Sequence, residues 1–106
     1  MPKYLWKASY TTAGAKGVAA EGGSGRRDAV KRATESLGGT LEAFYFAFGD
    51  ADVYVIADLP DNEAATAMAL AVNSSGAVTL ETTPLLTPEE VDAASKKSVE
   101  YRPAGG

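Results

Sequence analysis

The chain has 106 residues, of which 45% are hydrophobic, and carries a formal net charge of −4 with no cysteine and no histidine. This length and composition predict one small domain over residues 1–106, with an ordered core over about 3–97 and a flexible tail over 98–106. The missing residue types exclude disulfides, Cys/His zinc sites, histidine-ligated haem and a histidine base, and we predict no metal site and no cofactor.

The charge pattern also sets expectations about partners. Lysine and arginine are scattered along the chain rather than gathered into a basic stripe, so no nucleic-acid partner is expected. No apolar run is long enough to span a bilayer, and no signal peptide precedes the first strand-like segment. We therefore predict a cytoplasmic protein without a membrane partner.

The N-terminal quarter begins with a strand. Residues 3–10, "KYLWKASY", place aromatic side chains on one parity, which is typical of a sheet with one buried face. The glycine-rich stretch over 11–25 contains "GGSG" and predicts a flexible loop, with at most a short helical piece near 14–20. The loop lacks the lysine-serine pattern of a phosphate cradle.

A helix is predicted next, over about residues 25–37. Ser24 can act as its N-cap, and apolar residues recur on one face of the segment. Gly38-Gly39 predicts the end of the helix, because glycine readily adopts the left-handed cap conformation.

A hairpin is predicted from the second strand, "TLEAFYFAF", and the third, "DVYVIADL". A loop with an even number of residues puts the phenylalanines of one strand and the valines of the other on the same face. A two-residue type II′ turn at Gly49-Asp50 satisfies this, and so does a four-residue loop. The face predicted to lie under the helices holds Phe44, Phe46, Phe48, Val53, Val55 and Ala57.

The C-terminal half predicts a helix, a strand and a second helix. The helix covers about 61–74, with acidic residues suited to its N-terminus and Gly76 closing it. "AVTLETTPLL" predicts the fourth strand. Thr87 and Glu90 then form a capping-box pattern around Pro88, which favours a terminal helix.

These elements, in the order β-α-β-β-α-β plus a terminal helix, predict an α+β, ferredoxin-like fold. Its four-stranded antiparallel sheet has strand order 4-1-3-2, with both main helices on one face. Strand parity then assigns the polar and tyrosine side chains to the opposite, helix-free face. Candidate ligand-binding residues on this face are Lys7, Ser9, Tyr45, Asp52, Tyr54, Thr79 and Glu81.

The helix-free face is too apolar to be a simple solvated surface, since Leu5, Ala43 and Ile56 lie among its polar residues. Such a face is usually covered. A second copy packed sheet against sheet is the simplest cover, so we predict a homodimer or a higher homo-oligomer.

The chain resembles the GYD-domain family, small bacterial proteins named after a Gly-Tyr-Asp motif. The resemblance covers about residues 3–97 and rests on "YTTAG", "RRDAV", "LGGTLEAFYFAFGDADVYVI", "LPD" and "GAVTLETTPLLTPEE" in this order. The family motif maps onto Gly49 and Asp52, with Asp50-Ala51 in place of the tyrosine. The resemblance implies a ferredoxin-like fold similar to dimeric α+β-barrel proteins, and it implies little about activity.

Several polar residues have two interpretations each. Asp50 and Asp52 can be a catalytic carboxylate pair, or an exposed turn residue and a polar strand start. Tyr45 and Tyr54 can bind a planar ligand or form a cross-strand pair. Lys7 can be a reactive lysine or an ion-pair partner of Glu81.

Two functions therefore remain open. The first is a homodimeric small-ligand-binding or assembly module without a catalytic role. The second is a cofactor-independent enzyme of the small monooxygenase or isomerase type, which would use Asp52, Tyr54 and Lys7 around a pocket on the helix-free face.

Overall fold

The computed structural model describes residues 1–106 as four strands and four helices. The elements are β1 (Lys3–Tyr10), α1 (Thr12–Glu21), α2 (Gly23–Ser36), β2 (Thr40–Phe46), β3 (Val53–Asp58), α3 (Asn62–Ser74), β4 (Val78–Leu85) and α4 (Pro88–Ser95). All strand pairs are antiparallel, and the sheet order is β2-β3-β1-β4. The predicted ferredoxin-like α+β fold and strand order are confirmed.

One face of the sheet forms the core beneath the helices. Alternate residues of β1 and β3 are buried there, together with Ala65 and Met68 from α3. The predicted parity of both strands is confirmed, because every second side chain of a strand points to the same face. The buried strand residues are Tyr4, Trp6, Ala8, Val53, Val55 and Ala57.

The loop of the β2–β3 hairpin is longer than the predicted turn. Six residues separate the two strands, and a hydrogen bond of 2.8 Å from the Ala47 N–H to the Asp52 carbonyl closes its base. Gly49 has no positive φ, so the type II′ turn is wrong while the even loop length is confirmed. Phe48 was expected in the core but is fully exposed, because β2 has already left the sheet at this point.

Strand β2 contains a bulge that the sequence pattern did not predict. Leu41 pairs with Ala57 whereas Ala43 pairs with Ile56, which leaves Glu42 as the extra residue. A bulge of one residue reverses strand parity beyond it. Leu41 and Phe44 can therefore both pack against the core although their positions differ in parity.

Residues 12–21, predicted as a loop with at most a short helical piece near 14–20, form the ten-residue helix α1. Its N-cap is Thr11, whose side chain accepts a hydrogen bond from the Gly14 N–H. A Cβ atom on Gly14 would lie 2.0 Å from the Ala77 carbonyl oxygen. The glycine at this position thus permits close packing of α1 on the α3–β4 turn, which the prediction from helix propensity did not take into account.

Helix α2 starts two residues earlier than predicted. Gly22 is its N-cap, with φ of +82°, and Ser24 lies inside the helix, so the predicted N-cap is wrong. Gly22 also ends α1, and its positive φ lets the chain turn sharply from one helix to the next. Gly38, with φ of +81°, follows the end of α2 as predicted.

The two C-terminal helices begin where the sequence predicts. The Asp61 side chain accepts from the Ala64 N–H at 2.8 Å and caps α3. Thr87 and Glu90 form both hydrogen bonds of the capping box of α4. No helix combines the length and hydropathy that a membrane span requires.

Candidate functional site

The helix-free face of the sheet carries regular cross-strand rows of side chains. We define this face by the residues that point away from the core helices: Lys3, Leu5, Lys7, Ser9, Thr40, Ala43, Tyr45, Tyr54, Ile56, Asp58, Thr79, Glu81, Thr83 and Leu85. The helices α1, α2 and α3 pack elsewhere, and α4 buries none of its residues. The face is therefore open in a single chain.

An apolar row crosses the middle of this face. Ala43, Ile56 and Leu5 are neighbours on β2, β3 and β1, and Thr83 of β4 continues the row. The first three side chains are half-buried. Three adjacent apolar side chains with no covering element form a contiguous patch on an otherwise polar surface.

The adjacent row holds most of the candidate residues in register. Tyr45 pairs with Tyr54, Tyr54 with Lys7, and Lys7 with Glu81. Tyr45 is largely exposed, with a relative accessibility of 71%, whereas Tyr54 is half-buried. The register of the tyrosine pair agrees with the prediction, and the same row extends to the charged residues of β1 and β4.

A polar pocket of about 150 Å³ lies at one end of the helix-free face. Its lining contains no hydrophobic residue and consists of Lys7, Ser9, Asp50, Thr79 and Glu81. Four of these are predicted candidates, and Asp50 joins them from the hairpin loop. Tyr45, Tyr54 and Asp52 do not line the pocket, so the structure brings together only part of the candidate set.

Lys7 forms its ion pair with Asp50 rather than with its cross-strand neighbour Glu81. The hydrogen bond to Asp50 is the main reason why the pKa of Lys7 is raised, and the same hydrogen bond lowers the pKa of Asp50. The lysine is therefore protonated at neutral pH. A raised pKa makes the neutral amine, which is the form that acts as a nucleophile or a base, rarer at neutral pH.

The Lys7→Met substitution is expected to return the pKa of the Asp50 carboxyl upward toward its ordinary value of 3.8. Because the pKa of Asp50 is lowered in the folded chain, the ion pair stabilises the fold at pH values above the ordinary pKa of this carboxyl. That stabilisation is lost as the pH falls through the lowered pKa. Carboxyl ¹³C chemical shifts, followed by NMR from neutral to acidic pH, measure the pKa of Asp50. The control is Lys16→Met, because Lys16 forms no ion pair. An Asp50 titration midpoint that is equal in the unsubstituted protein, in Lys7→Met and in Lys16→Met would contradict the expectation.

Asp52 supports the backbone rather than facing the open pocket. Its carboxylate accepts the Tyr10 N–H at 2.8 Å, and its own N–H donates to the Ala8 carbonyl at 2.9 Å. Backbone pairing of β1 with β3 ends at Ala8 and Val53, so the Tyr10 N–H has no strand partner on that side. The Asp52 side chain supplies this partner and ties the hairpin loop to the end of β1.

Comparison with known proteins adds one finding. The family model described as GYD domain matches residues 4–95. The chain belongs to the GYD family. Searches of curated proteins and of solved structures find no significant match to this GYD domain.

Of the two retained motif positions of this GYD domain, only Asp52 has a structural role, through its hydrogen bond with the Tyr10 N–H, whereas nothing in the structure requires glycine at position 49. Gly49 is exposed, and a Cβ there would meet no atom within 4 Å. Ala51, which lies between the motif ends, is only 2% exposed and was missed as a core residue. The signal was present, because Ala51 continues the alternation of buried residues that runs through β3 to Leu59.

Proposed function

We propose that this GYD domain is a homodimeric assembly module without a catalytic role, in which the helix-free faces of two copies pack against each other. The observation that carries the proposal is the apolar row of Ala43, Ile56 and Leu5, which no element of the same chain covers. Removing this row from water favours association, since apolar burial contributes roughly 25 cal/mol per Å².

The charges around the apolar row support a second copy as the cover. On one side Lys3 contacts Glu42 at 2.9 Å and Asp58 at 3.0 Å. On the other side Lys7 contacts Asp50. A two-fold axis brings a surface patch against the same patch of the partner. Because both flanking rows contain both signs of charge, a two-fold arrangement can place charges of one copy against opposite charges of the other.

The size of the face is sufficient for a modest interface. Four strands about 4.8 Å apart and about eight residues long, at about 3.3 Å per residue, give a face of roughly 500 Å². Two such faces bury about 1,000 Å², which is the lower limit for a specific protein–protein interface.

The C-terminal segment supplies additional surface for the partner. The radius of gyration is 16.9 Å, whereas about 13 Å is typical for a compact domain of this length. Helix α4 has eight residues and buries none of them, and isolated helices shorter than about 12 residues are marginal in water. Contact with a second copy would stabilise α4 and cover the exposed side chains of Leu86, Val91, Val99 and Tyr101.

The state of the candidate catalytic groups supports a role without catalysis. Lys7 is paired with Asp50, and the Asp52 carboxylate is bonded to the backbone of β1. Both side chains thus have structural partners, and neither Asp52 nor Tyr54 lines the polar pocket in which the enzyme hypothesis would place them. In the proposed dimer the polar pocket lies at the edge of the interface, where Lys7, Ser9, Thr79 and Glu81 could hold a small polar ligand. The cytoplasm stays the predicted location.

Light scattering coupled to size exclusion tests the dimer directly. We expect a mass of twice the 10.9 kDa of one chain at micromolar concentration. Native mass spectrometry on the same sample should give the dimer ion and any small molecule retained with it. A monomer in both measurements would contradict the proposal.

A further inference from the structure

The helical layer on the other face of the sheet contains an open cleft. Helix α2 packs on β2 and α3 packs on β4, so the sheet between them forms the cleft floor. An inner cavity of about 70 Å³ and an outer groove of about 370 Å³ share part of their lining. Small-molecule sites of about 300–1,000 Å³ are typical. The shared residues are Tyr10, Arg26, Ala33, Met68, Val72 and Val78.

The lining of the inner cavity is apolar except at one position. Thirteen of its fourteen residues are hydrophobic, and Arg26 is the exception. Trp6 forms part of this lining, is only 2% exposed, and its Nε1–H is buried without a hydrogen-bond partner. An indole N–H is a donor only, and leaving it unpaired in the interior costs free energy. The cavity is therefore lined by apolar surface and by one buried residue whose N–H has no partner.

Arg26 lies at the rim of the cavity with hydrogen-bonding capacity to spare. Its side chain is 30% exposed, and its one ion pair, with Glu21, is loose at 3.7 Å. The Tyr10 hydroxyl is a further neighbour: burial raises the pKa of this phenol, and Arg26 opposes the increase. A guanidinium has five N–H donors and binds carboxylates with two of them at once. Glu21 also lines the outer groove, and the carboxylate of a ligand can replace it in this loose ion pair.

We propose that this cleft binds a small amphipathic monoanion, a carboxylate attached to an apolar chain or ring. The carboxylate lies on Arg26, and the apolar part enters the cavity toward Trp6. The positive charge at the rim and the apolar interior fit the two ends of such a molecule. This site goes beyond the proposed dimer and does not depend on it, because the cleft and the helix-free face are on opposite sides of the sheet.

The single tryptophan of the chain makes the proposal measurable. Octanoate is the probe, and octanol is the uncharged probe with the same chain length. Titration of the full-length protein with octanoate should give a saturable change in Trp6 fluorescence, and octanol should bind at least tenfold more weakly. Equal binding of the two, or no saturable change with octanoate, would overturn the proposal without the need for any variant.

Two neighbouring arginines provide a matched pair of variants. Arg26→Gln should weaken octanoate binding by tenfold or more and leave octanol binding unchanged. Arg27→Gln should leave both unchanged, because the Arg27 side chain is 54% exposed, lies beside Asp28 and does not line the cavity. Octanoate affinity that is equal in both variants would overturn the role of Arg26. Circular dichroism confirms that each variant is folded, and light scattering on the same samples tests the dimer separately.

Discussion

Leu5→Glu is expected to convert the proposed dimer into a monomer with the same fold. Leu5 lies in the apolar row between Lys3 and Lys7 on β1, and it is half-buried. In a single chain the new carboxylate would stand between two lysines and be solvated. In the dimer it would be buried against the partner, which is unfavourable for an unpaired charge. We expect a loss of at least about 2 kcal/mol, or roughly 30-fold in the dissociation constant.

Light scattering over a dilution series measures this effect. The matched control is Leu70→Glu on α3, because Leu70 is 67% exposed and lies outside the helix-free face. That variant should keep the dimer mass. A dimer of unchanged strength in Leu5→Glu would place the interface elsewhere on the molecule, and loss of the dimer in both variants would point to a general effect of added negative charge.

Gly14→Ala is expected to lower the free energy of unfolding, although alanine is the better helix former. The added Cβ would lie 2.0 Å from the Ala77 carbonyl oxygen and 3.2 Å from the Tyr10 ring. The nearest atom belongs to the backbone, so α1 has to move away from the α3–β4 turn. Overpacking of this kind costs about 1–3 kcal/mol, which exceeds the gain in helix propensity.

The same helix contains a control for this substitution. A Cβ added to Gly17 would meet no atom within 4 Å, so Gly17→Ala should stabilise the protein by about 0.5–1 kcal/mol. Urea denaturation of the three proteins gives the comparison. If both alanine variants were stabilised, α1 would not pack closely on the turn that contains Ala77.

Most of the fold could be predicted because it depends on local patterns. The alternation in β1 and β3 placed Trp6 and Val55 in the core, while the acidic residues that begin at Asp61 and the N-cap Thr87 marked the starts of α3 and α4. Each of these signals lies within a few residues of the element that it predicts. The antiparallel order of the strands followed from the β-α-β-β-α-β order of the elements, which is that of a ferredoxin-like fold.

The candidate site was predicted in part. Parity placed Lys7, Ser9, Thr79 and Glu81 on one face, and the register of the sheet brings them together in the polar pocket. Asp50 was assigned to the turn, but its contact with Lys7 depends on how a six-residue loop folds back. Strand periodicity contains no information about that path.

The cleft between α2 and α3 was not predicted. Arg26 belongs to a helix in both the prediction and the structure, but the start of that helix was misplaced, and α1 before it was taken for a loop. The position of Arg26 beside Tyr10 depends on how the two helices pack on the sheet. No short-range pattern in the sequence describes that packing.

The sequence by itself determined the fold class, the strand order and the parity of β1 and β3, and with it the place of Lys7 and Tyr54 on the helix-free face. Only the tertiary structure decided that residues 12–21 are helical, that Phe48 is exposed, and that Lys7 pairs with Asp50. The physical reason is the range of the interactions. Periodicity and capping act over a few residues. The Ala77 carbonyl, whose close approach to α1 requires glycine at position 14, reaches that helix only when the whole chain has folded.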